Sequence, residues 1–214
     1  SNVAEPCSAA DSSLVTRHSS LVTWTEPMTT FTASVAASSD DAQETGGTVL
    51  TNGANLNANS AGQLSAVRFT GVTVPPGSTI NSAYITVNIT STSYDDPITD
   101  IRGGGEANPA TFNPTASHLT NRAKTSAIVP WNDTGLGVGD ENTPDLKTIV
   151  EEIIAIPGWA SGNAMAFYFL GSASSAIRFT AYDNGSGIPS LTINYTPPSS
   201  GGQPRRTVHQ FRMR

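Results

Sequence analysis

The residues of this chain that could carry chemistry are carboxylates concentrated in one short stretch. Asp40, Asp41 and Glu44 lie within five positions of one another. Neighbouring carboxylates can serve as oxygen ligands for a cation. A solvated acidic turn is the simpler interpretation of the same stretch. The choice between these interpretations depends on the partners that the rest of the chain supplies.

The other reactive residue types form no catalytic constellation. His18, His118 and His209 are scattered along the chain without the spacing of a metal site. No serine lies in a nucleophile-elbow motif, and Cys7 has no basic or histidine neighbour to activate it. We therefore predict that the protein is not an enzyme. As the one cysteine of the chain, Cys7 also excludes an intrachain disulfide.

The composition is poor in charge and rich in small polar residues. Charged residues make up 13% of the chain and hydrophobic residues 37%, whereas an average soluble protein has roughly 25% charged residues. The formal net charge of −6 argues against nucleic-acid binding. No stretch reaches the roughly 18 apolar residues that membrane insertion requires. We expect an extracellular protein of a cell or particle surface. The chain begins at Ser1 rather than Met, so either an initiator and leader have been removed or the sequence has been trimmed, and the composition favours removal.

One strong helix signal organises the chain, and it passes directly into an apolar strand. Thr143 is predicted to be the N-cap and Pro144 the first helical residue. Pro157 and Gly158 end the signal. The helix is therefore predicted over about residues 144–155, lying across a sheet. Its apolar face consists of residues at helical spacing, namely Leu146, Ile149, Val150, Ile153 and Ile154.

The remaining pattern is that of a β protein. Residues 38–47 are interpreted as a polar loop or a bulged strand, and Pro130 predicts an edge strand. Together with the helix, the strands predict an all-β jelly-roll β-sandwich of two antiparallel sheets over residues 31–196. The predicted strands are Phe31–Val35, Thr48–Leu50, Leu64–Val74, Thr79–Thr90, Ile98–Arg102, Thr125–Trp131, Ala164–Leu170, Ala176–Tyr182 and Ser190–Thr196.

Two arms flank this domain. Residues 1–30 form a predicted extended N-terminal arm, residues 197–204 a Pro/Gly linker, and residues 205–214 a basic, amphipathic C-terminal arm. In the N-terminal arm the motif SSLVT occurs at 12–16 and again at 19–23. The arm is either a low-complexity tail or a pair of extended strands that bind elsewhere. The candidate assembly anchors are Leu14, Val15, Leu21, Val22 and Trp24 in the first arm and Val208, Phe211 and Met213 in the second.

Four segments carry a resemblance to a known family. They are VRFTGVTVPPGSTINSAYITVNI, TPDLKTIVEEI, PGWASGNAMAF and RFTAYDNGSGIPSLTINY. In this order they resemble the carbohydrate-binding-module-like jelly rolls of DNRLRE type, found in secreted bacterial proteins and in some phage and environmental structural proteins. The resemblance covers about Phe31 to Thr196 and excludes both arms. The resemblance implies the fold. It is less specific for function, because members of the family serve as adhesion, binding and scaffold units.

The resemblance also implies a structural calcium ion. Related jelly rolls hold calcium between N-terminal acidic residues and an aspartate near the last strands, and Asp183 matches that second position. The implied ligands are thus Asp40, Asp41, Glu44 and Asp183, although Gln43 stands where a further acid is expected. Calcium takes six to eight oxygen ligands, which carboxylates and loop carbonyls supply. Otherwise no cofactor is expected.

The leading hypothesis for function is a structural subunit of an extracellular filament or surface assembly. Jelly rolls have sheet edges, to which an extended arm of another copy can add a strand, and head-to-tail contacts of this kind build rings or helical filaments. The partners are then other copies of the protein. The alternatives are a carbohydrate-binding module of a secreted protein, which binds glycans, and a phage capsid or tail decoration protein.

Aromatic residues and glycosylation motifs do not decide between these hypotheses. Trp159 lies at the predicted corner between helix and strand, where we expect it to pack in the core. Trp131 ends the predicted edge strand, and Trp24 lies in the arm. The sequence does not establish a solvent-facing aromatic platform for sugars. Candidate glycosylation sites occur at Asn88, Asn132, Asn184 and Asn194.

Overall fold

The structure is a computed structural model, and it describes residues 26–58, 60–90, 98–133, 136–172 and 177–199. The predicted assembly anchors in both arms lie outside these residues. These are Leu14, Val15, Leu21, Val22, Trp24, Val208, Phe211 and Met213. Among the helices of the described residues, none combines the length and the apolarity that crossing a membrane requires.

The described strands form two antiparallel sheets, and the predicted jelly-roll β-sandwich is confirmed. Sheet A has the order β1 (Thr29–Ser34), β12 (Ser190–Thr196), β6 (Thr79–Ile89), β11 (Ile177–Thr180) and β4 (Asn55–Ala58), with β9 (Gly139–Asn142) also paired to β6. Sheet B has the order β3 (Thr48–Leu50), β2 (Asp41–Thr45), β5 (Gln63–Phe69), β10 (Met165–Gly171), β7 (Ile98–Gly104) and β8 (Lys124–Asn132).

The core lies between the sheets because alternate side chains of each strand point inward. Along β6, Ala83, Ile85 and Val87 are buried, while the residues between them are partly exposed. The ring centroids of Phe169 in sheet B and Phe179 in sheet A lie 5.1 Å apart, so these rings join the two layers. The alternation leaves the other side chains of β6 on the outer face of sheet A.

The helix α1 (Lys147–Ala155) packs against β6, β7 and β8. Its predicted apolar face is buried, which confirms that this face belongs to the core. The helix approaches β7 closely at Gly103, where an added Cβ would lie 2.6 Å from Cγ2 of Ile149 and 2.8 Å from Cδ1 of Ile153. A glycine is therefore required for this packing.

The helix begins later than predicted, because residues 143–146 bind the edge of β6 instead. The N–H of Thr143 donates to the carbonyl of Ile85 at 2.9 Å, and its hydroxyl accepts the Ile85 N–H at 3.0 Å. Thr143 is thus not the N-cap. A carboxylate oxygen of Asp145 accepts the N–H of Lys147 at 3.0 Å. Asp145, rather than the predicted Thr143, therefore satisfies a backbone donor of the first turn.

The long connection between β7 and β8 covers part of the outer face of sheet B. Phe112 and Leu119 from this connection are buried against Ala166 and Tyr168 of β10. The rings of Phe112 and Tyr168 meet edge to face with centroids 6.2 Å apart. This second, smaller core lies on the outer face of sheet B, whereas the outer face of sheet A presents rows of polar side chains.

Candidate functional site

The structure does not bring the four predicted calcium ligands into one cluster. Asp40 is buried and forms an ion pair with Arg68, whose Nε donates to the carbonyl of Pro109 at 2.8 Å. Glu44 is buried elsewhere, in the second core. Within the described part of the chain, no three His, Cys, Asp or Glu side chains are grouped so that they could hold a metal ion.

Among the predicted ligands, Asp41 lies close enough to Asp183 and Asp40 for the charges of both to act on it. Asp41 is 1% exposed and accepts the N–H of Tyr182 at 2.7 Å, while Asp183 accepts the hydroxyl of Ser38 at 2.7 Å. Burial raises the pKa of Asp41 to about 7, a hydrogen bond from Tyr182 lowers it, and the charges of Asp183 and Asp40 raise it further. A structural calcium ion, predicted with Asp40, Asp41, Glu44 and Asp183 as ligands, stays a prediction.

Glu44 has a different role from the predicted ligand, because it holds the connection between β7 and β8. Its carboxylate accepts the N–H of Leu119 at 2.8 Å, the N–H of Thr120 at 3.1 Å and the hydroxyl of Thr120. The carboxylate itself is buried, with Glu44 only 2% exposed. The buried N–H of Leu119 and the part-buried N–H of Thr120 therefore depend on this one side chain.

We expect Glu44→Ala to lower the free energy of unfolding by roughly 2–3 kcal/mol, because it removes the acceptor of the buried Leu119 N–H and of the part-buried Thr120 N–H. Urea unfolding of the full chain measures this change. Glu151→Ala is the matched control, since Glu151 lies on the surface 3.8 Å from Lys147, and removing an exposed pair changes stability by less than about 1 kcal/mol. Equal losses in the two variants would contradict the assigned role of Glu44.

The charged side chains near this connection are also occupied by structural contacts. Arg122 donates to both carboxylate oxygens of Glu106, at 3.0 and 3.1 Å, which lowers the pKa of Glu106. The ammonium of Lys124 donates to the carbonyls of Leu119, Thr120 and Arg122 and lies 4.7 Å from the ring centroid of Tyr168. Burial lowers the pKa of Lys124. These groups fix the loop on the sheet rather than face a cleft.

The described tryptophans do not form a platform for sugars. Trp159 is buried, and its indole N–H donates to the carbonyl of Val74 at 3.0 Å, so it packs in the core as predicted. Trp131 is 1% exposed and contacts Phe169. Trp24 lies outside the described residues. Within the described residues, an aromatic contact for a ligand must therefore come from another residue type.

On the outer face of sheet A, the strands β1, β12, β6 and β9 present a layer of mainly hydroxyl and amide side chains, which we call the polar face. Cross-strand pairs share a face of the sheet, so the pairing defines its rows. The rows are spaced about 7 Å along the strands and about 4.8 Å across them. They consist of Thr30, Asn194 and Ser82; Thr32, Thr192 and Tyr84; Ser34, Ser190, Thr86 and Asn142; and Asn88 with Asp140.

Hydrogen bonds between strands hold these side chains in place. The hydroxyl of Thr30 donates to Oδ1 of Asn194 at 2.7 Å, and the amide of Asn194 donates to the hydroxyl of Ser82 at 3.0 Å. The hydroxyl of Thr86 donates to Oδ1 of Asn142 at 2.8 Å. The polar face is therefore a fixed array of neutral donors and acceptors.

Tyr84 supplies the aromatic ring of this array. It is partly exposed and lies in the middle of β6, directly opposite Thr192. Ser82 and Thr86 flank it along the strand. Among the side chains that define the polar face, Asp140 is the charged one, and its carboxylate accepts a hydrogen bond from the amide of Asn88 at 2.7 Å. The face thus combines one ring with neutral polar groups.

Sequence reasoning did not identify the polar face, although the signal was present. The inward alternation of Ala83, Ile85 and Val87 implies that Tyr84 and its alternating neighbours point outward. The sequence does not show that β6 pairs with β12 and β9. It therefore could not show which side chains lie side by side in the rows. Two candidate glycosylation sites, Asn88 and Asn194, lie on this face, while Asn132 and Asn184 are exposed elsewhere. Glycosylation stays a prediction.

Comparisons with known proteins give structural neighbours at low similarity. No family model and no curated protein match the chain, so the DNRLRE-type assignment stays a prediction. A solved xylan-binding module CBM15 aligns with 10% identity and a TM-score of 0.42, covering 81% of this chain and 100% of the module. A mutant of Xylanase10C from Cellvibrio japonicus in complex with xylopentaose aligns with 10% identity and a TM-score of 0.38, covering 76% of this chain and 28% of the xylanase chain.

Proposed function

We propose that this protein is a carbohydrate-binding module whose polar face binds an extended, neutral glycan. The observation that carries the proposal is the partly exposed ring of Tyr84 within an array of fixed hydroxyl and amide side chains. A tyrosine ring offers an apolar surface to the face of a sugar and a polar hydroxyl at its end. The surrounding side chains offer hydrogen bonds to the sugar hydroxyls.

The neutral character of the polar face determines the class of ligand. Serine and threonine hydroxyls and the asparagine amide each donate and accept hydrogen bonds, as the hydroxyls of a sugar also do. Covering charged side chains with a neutral ligand would incur a larger desolvation penalty. Asp140 already accepts a hydrogen bond from Asn88 at the end of the array. A neutral polysaccharide therefore fits this face better than a charged ligand.

Rigidity and shape favour a polymer. Since the bonds from Thr30 to Asn194 and from Asn194 to Ser82 already fix these side chains, binding immobilises few additional rotamers. The polar face is an open sheet surface, whereas sites for small molecules are concave and enclose most of the ligand. An extended chain that contacts several rows gains enough contacts without a cleft.

We expect Tyr84→Ala to weaken glycan binding at least about tenfold, which corresponds to about 1.4 kcal/mol. Affinity electrophoresis in gels containing xylan, mannan or mixed-linkage glucan measures the retardation. Tyr84→Phe keeps the ring and should retain most of the affinity. Tyr182→Ala is the matched control, because Tyr182 lies beside Asp41 and away from the polar face. Unchanged retardation of the Tyr84→Ala variant, or retardation of the wild type by none of the polymers, would refute the proposal.

The proposal assigns binding without catalysis, at an extracellular location. Filament formation and a phage decoration role are supported less well, because the predicted donor segments lie outside the described residues. They stay hypotheses from the sequence. The described residues do, however, bear on one part of the assembly hypothesis, namely which sheet edge could accept a strand.

A further inference from the structure

The edges of the two sheets differ in how they are protected against the addition of a further strand. An exposed edge presents unpaired N–H and carbonyl groups, and proteins usually block it with charge, proline, short length or a covering group. Among the described strands, sheet A ends at β1 and β4 and sheet B ends at β3 and β8. These four edges differ in which of the protections they have.

The edge of β8 is blocked by the helix and by a proline. The two carboxylate oxygens of Glu152 in α1 accept the N–H groups of Ser126 and Ala127, each at 2.7 Å. Pro130 further along β8 has no N–H to offer. Two donors of this edge are therefore occupied, and the proline interrupts the row of donors that a new strand would need. This edge strand was predicted from Pro130, and the structure confirms it.

The edge of β4 is blocked by side chains of sheet B. The backbone N–H and the side-chain amide of Asn57 donate to Oε1 of Gln43, at 3.1 and 2.7 Å. The carbonyl of Asn57 accepts the hydroxyl of Ser65 at 2.6 Å. The backbone of β4 is thus bound by side chains across the sandwich. Gln43, which stands where an acidic calcium ligand was expected, has this role instead.

The strands β3 and β9 are too short or too charged to form a good acceptor. β3 has three residues, and β9 has four, including Asp140 and Glu141. Short length and charge are both common protections of sheet edges. Among the described strands at the margins of the two sheets, β1 has neither protection.

The edge of β1 is open and regular. This strand has six residues, contains no charge and no proline, and pairs with β12 on one side. The N–H of Val35 donates to the carbonyl of Pro189 at 3.0 Å, which fixes the direction of the ladder. Because antiparallel hydrogen bonding alternates, the N–H and carbonyl groups of Thr30, Thr32 and Ser34 point to the open side. Within the described residues, no strand pairs with that side.

The apolar groups along this edge are incompletely covered. Phe31 and Ala33 face the core side but are only partly buried. Met28, just before the strand, is 65% exposed. A further strand at this edge would cover Phe31 and Met28 as well as pair the three free N–H groups. Both the backbone and the side chains of the edge therefore favour an added strand.

We propose that the β1 edge accepts a strand from the N-terminal arm, residues 12–24, of a second copy of this chain. The arm contains the repeated SSLVT motif, whose valine and threonine residues favour strands and whose hydroxyl residues also occur in β1. Glu26, Pro27 and Met28 contain no turn or bend. These three residues therefore do not reverse the chain onto the open side of β1, whereas the arm of a second copy needs no such reversal.

A mixing experiment tests the proposal with full-length chains. Thr32→Pro removes an outward N–H of the edge, and Val15→Pro with Val22→Pro disrupts strand formation by the arm. Sedimentation velocity at micromolar concentrations should show that the wild type associates, while each variant alone is monomeric. An equal mixture should form pairs, because one variant keeps an intact edge and the other an intact arm. Closed dimers and longer chains of the wild type both support strand exchange.

Controls separate loss of the edge from loss of the fold. Thr32→Val keeps the N–H and the branched side chain and should associate like the wild type. Where thermal melting shows that Thr32→Pro is unfolded, Thr30→Lys combined with Thr32→Lys replaces it, since lysine on an edge strand opposes pairing. A monomeric wild type, association of the variants at wild-type strength, or a mixture that stays monomeric would each overturn the proposal. The arm variant leaves the polar face intact, so its glycan binding reports separately on the proposed function.

Discussion

Ile153→Ala is expected to lower the free energy of unfolding by about 2–5 kcal/mol. Ile153 is 0% exposed and packs from the helix onto Gly103 of β7, where an added Cβ would lie only 2.8 Å from its Cδ1. Truncation removes apolar contacts and leaves a cavity, because β7 cannot move inward without losing its pairing to β8 and β10. Chemical denaturation measured by circular dichroism gives the change.

Ile128→Ala is the matched control for this substitution. Ile128 lies on the outer face of β8 and is 41% exposed, so the same change of residue type should cost much less. A small loss for Ile153→Ala, equal to that for Ile128→Ala, would show that the helix is not part of the core. It would contradict the packing on which the whole sandwich is built.

Asp41→Asn is expected to stabilise the fold at pH 8 by up to roughly 4 kcal/mol. The pKa of Asp41 is raised from 3.8 in the unfolded reference to about 7 in the fold, chiefly by burial. The ionised form is therefore penalised in the folded state. This penalty is absent below pH 3.8, where both states are protonated, and it grows as the pH rises to about 7. Asparagine keeps an oxygen acceptor for the N–H of Tyr182 and carries no charge.

The measurement is the pH dependence of unfolding in the presence of a chelator. The wild type should lose stability between about pH 4 and pH 7, relative to Asp41→Asn, and the two should be nearly equal at pH 4. Asp100→Asn is the control, since Asp100 is an exposed carboxylate of the same sheet and should leave the profile unchanged. Parallel profiles for the wild type and Asp41→Asn would contradict the burial argument.

The fold could be predicted because its strongest signals are local. The apolar spacing of the helix and the alternation of β6 and β12 are visible within single segments, and the structure places them as expected. The strands β2, β4 and β9 were harder to predict. They contain polar residues such as Gln43, Asn57 and Asp140, whose contacts come from distant parts of the chain. Predicted strand residues 70–74 lie beyond the end of β5 at Phe69.

The candidate site was less predictable than the fold for a related reason. Carboxylates attract attention in a sequence, but Glu44 and Asp40 are bound by a loop and by Arg68, partners that only the folded chain brings near. The polar face consists of common surface residues whose meaning depends on strand pairing. No local sequence pattern distinguishes Tyr84, which lies among paired polar side chains, from any other tyrosine that points into solvent.

The most direct test of glycan binding by the polar face is an amide NMR titration of the labelled full chain. The ligand is a soluble oligosaccharide of the polymer that retards the wild type most in the gel assay. If the polar face binds the glycan, saturable shifts are expected on β1, β12 and β6, centred on Thr192 and Tyr84. Shifts concentrated on the connection between β7 and β8, or no saturable shift with any oligosaccharide, would contradict it.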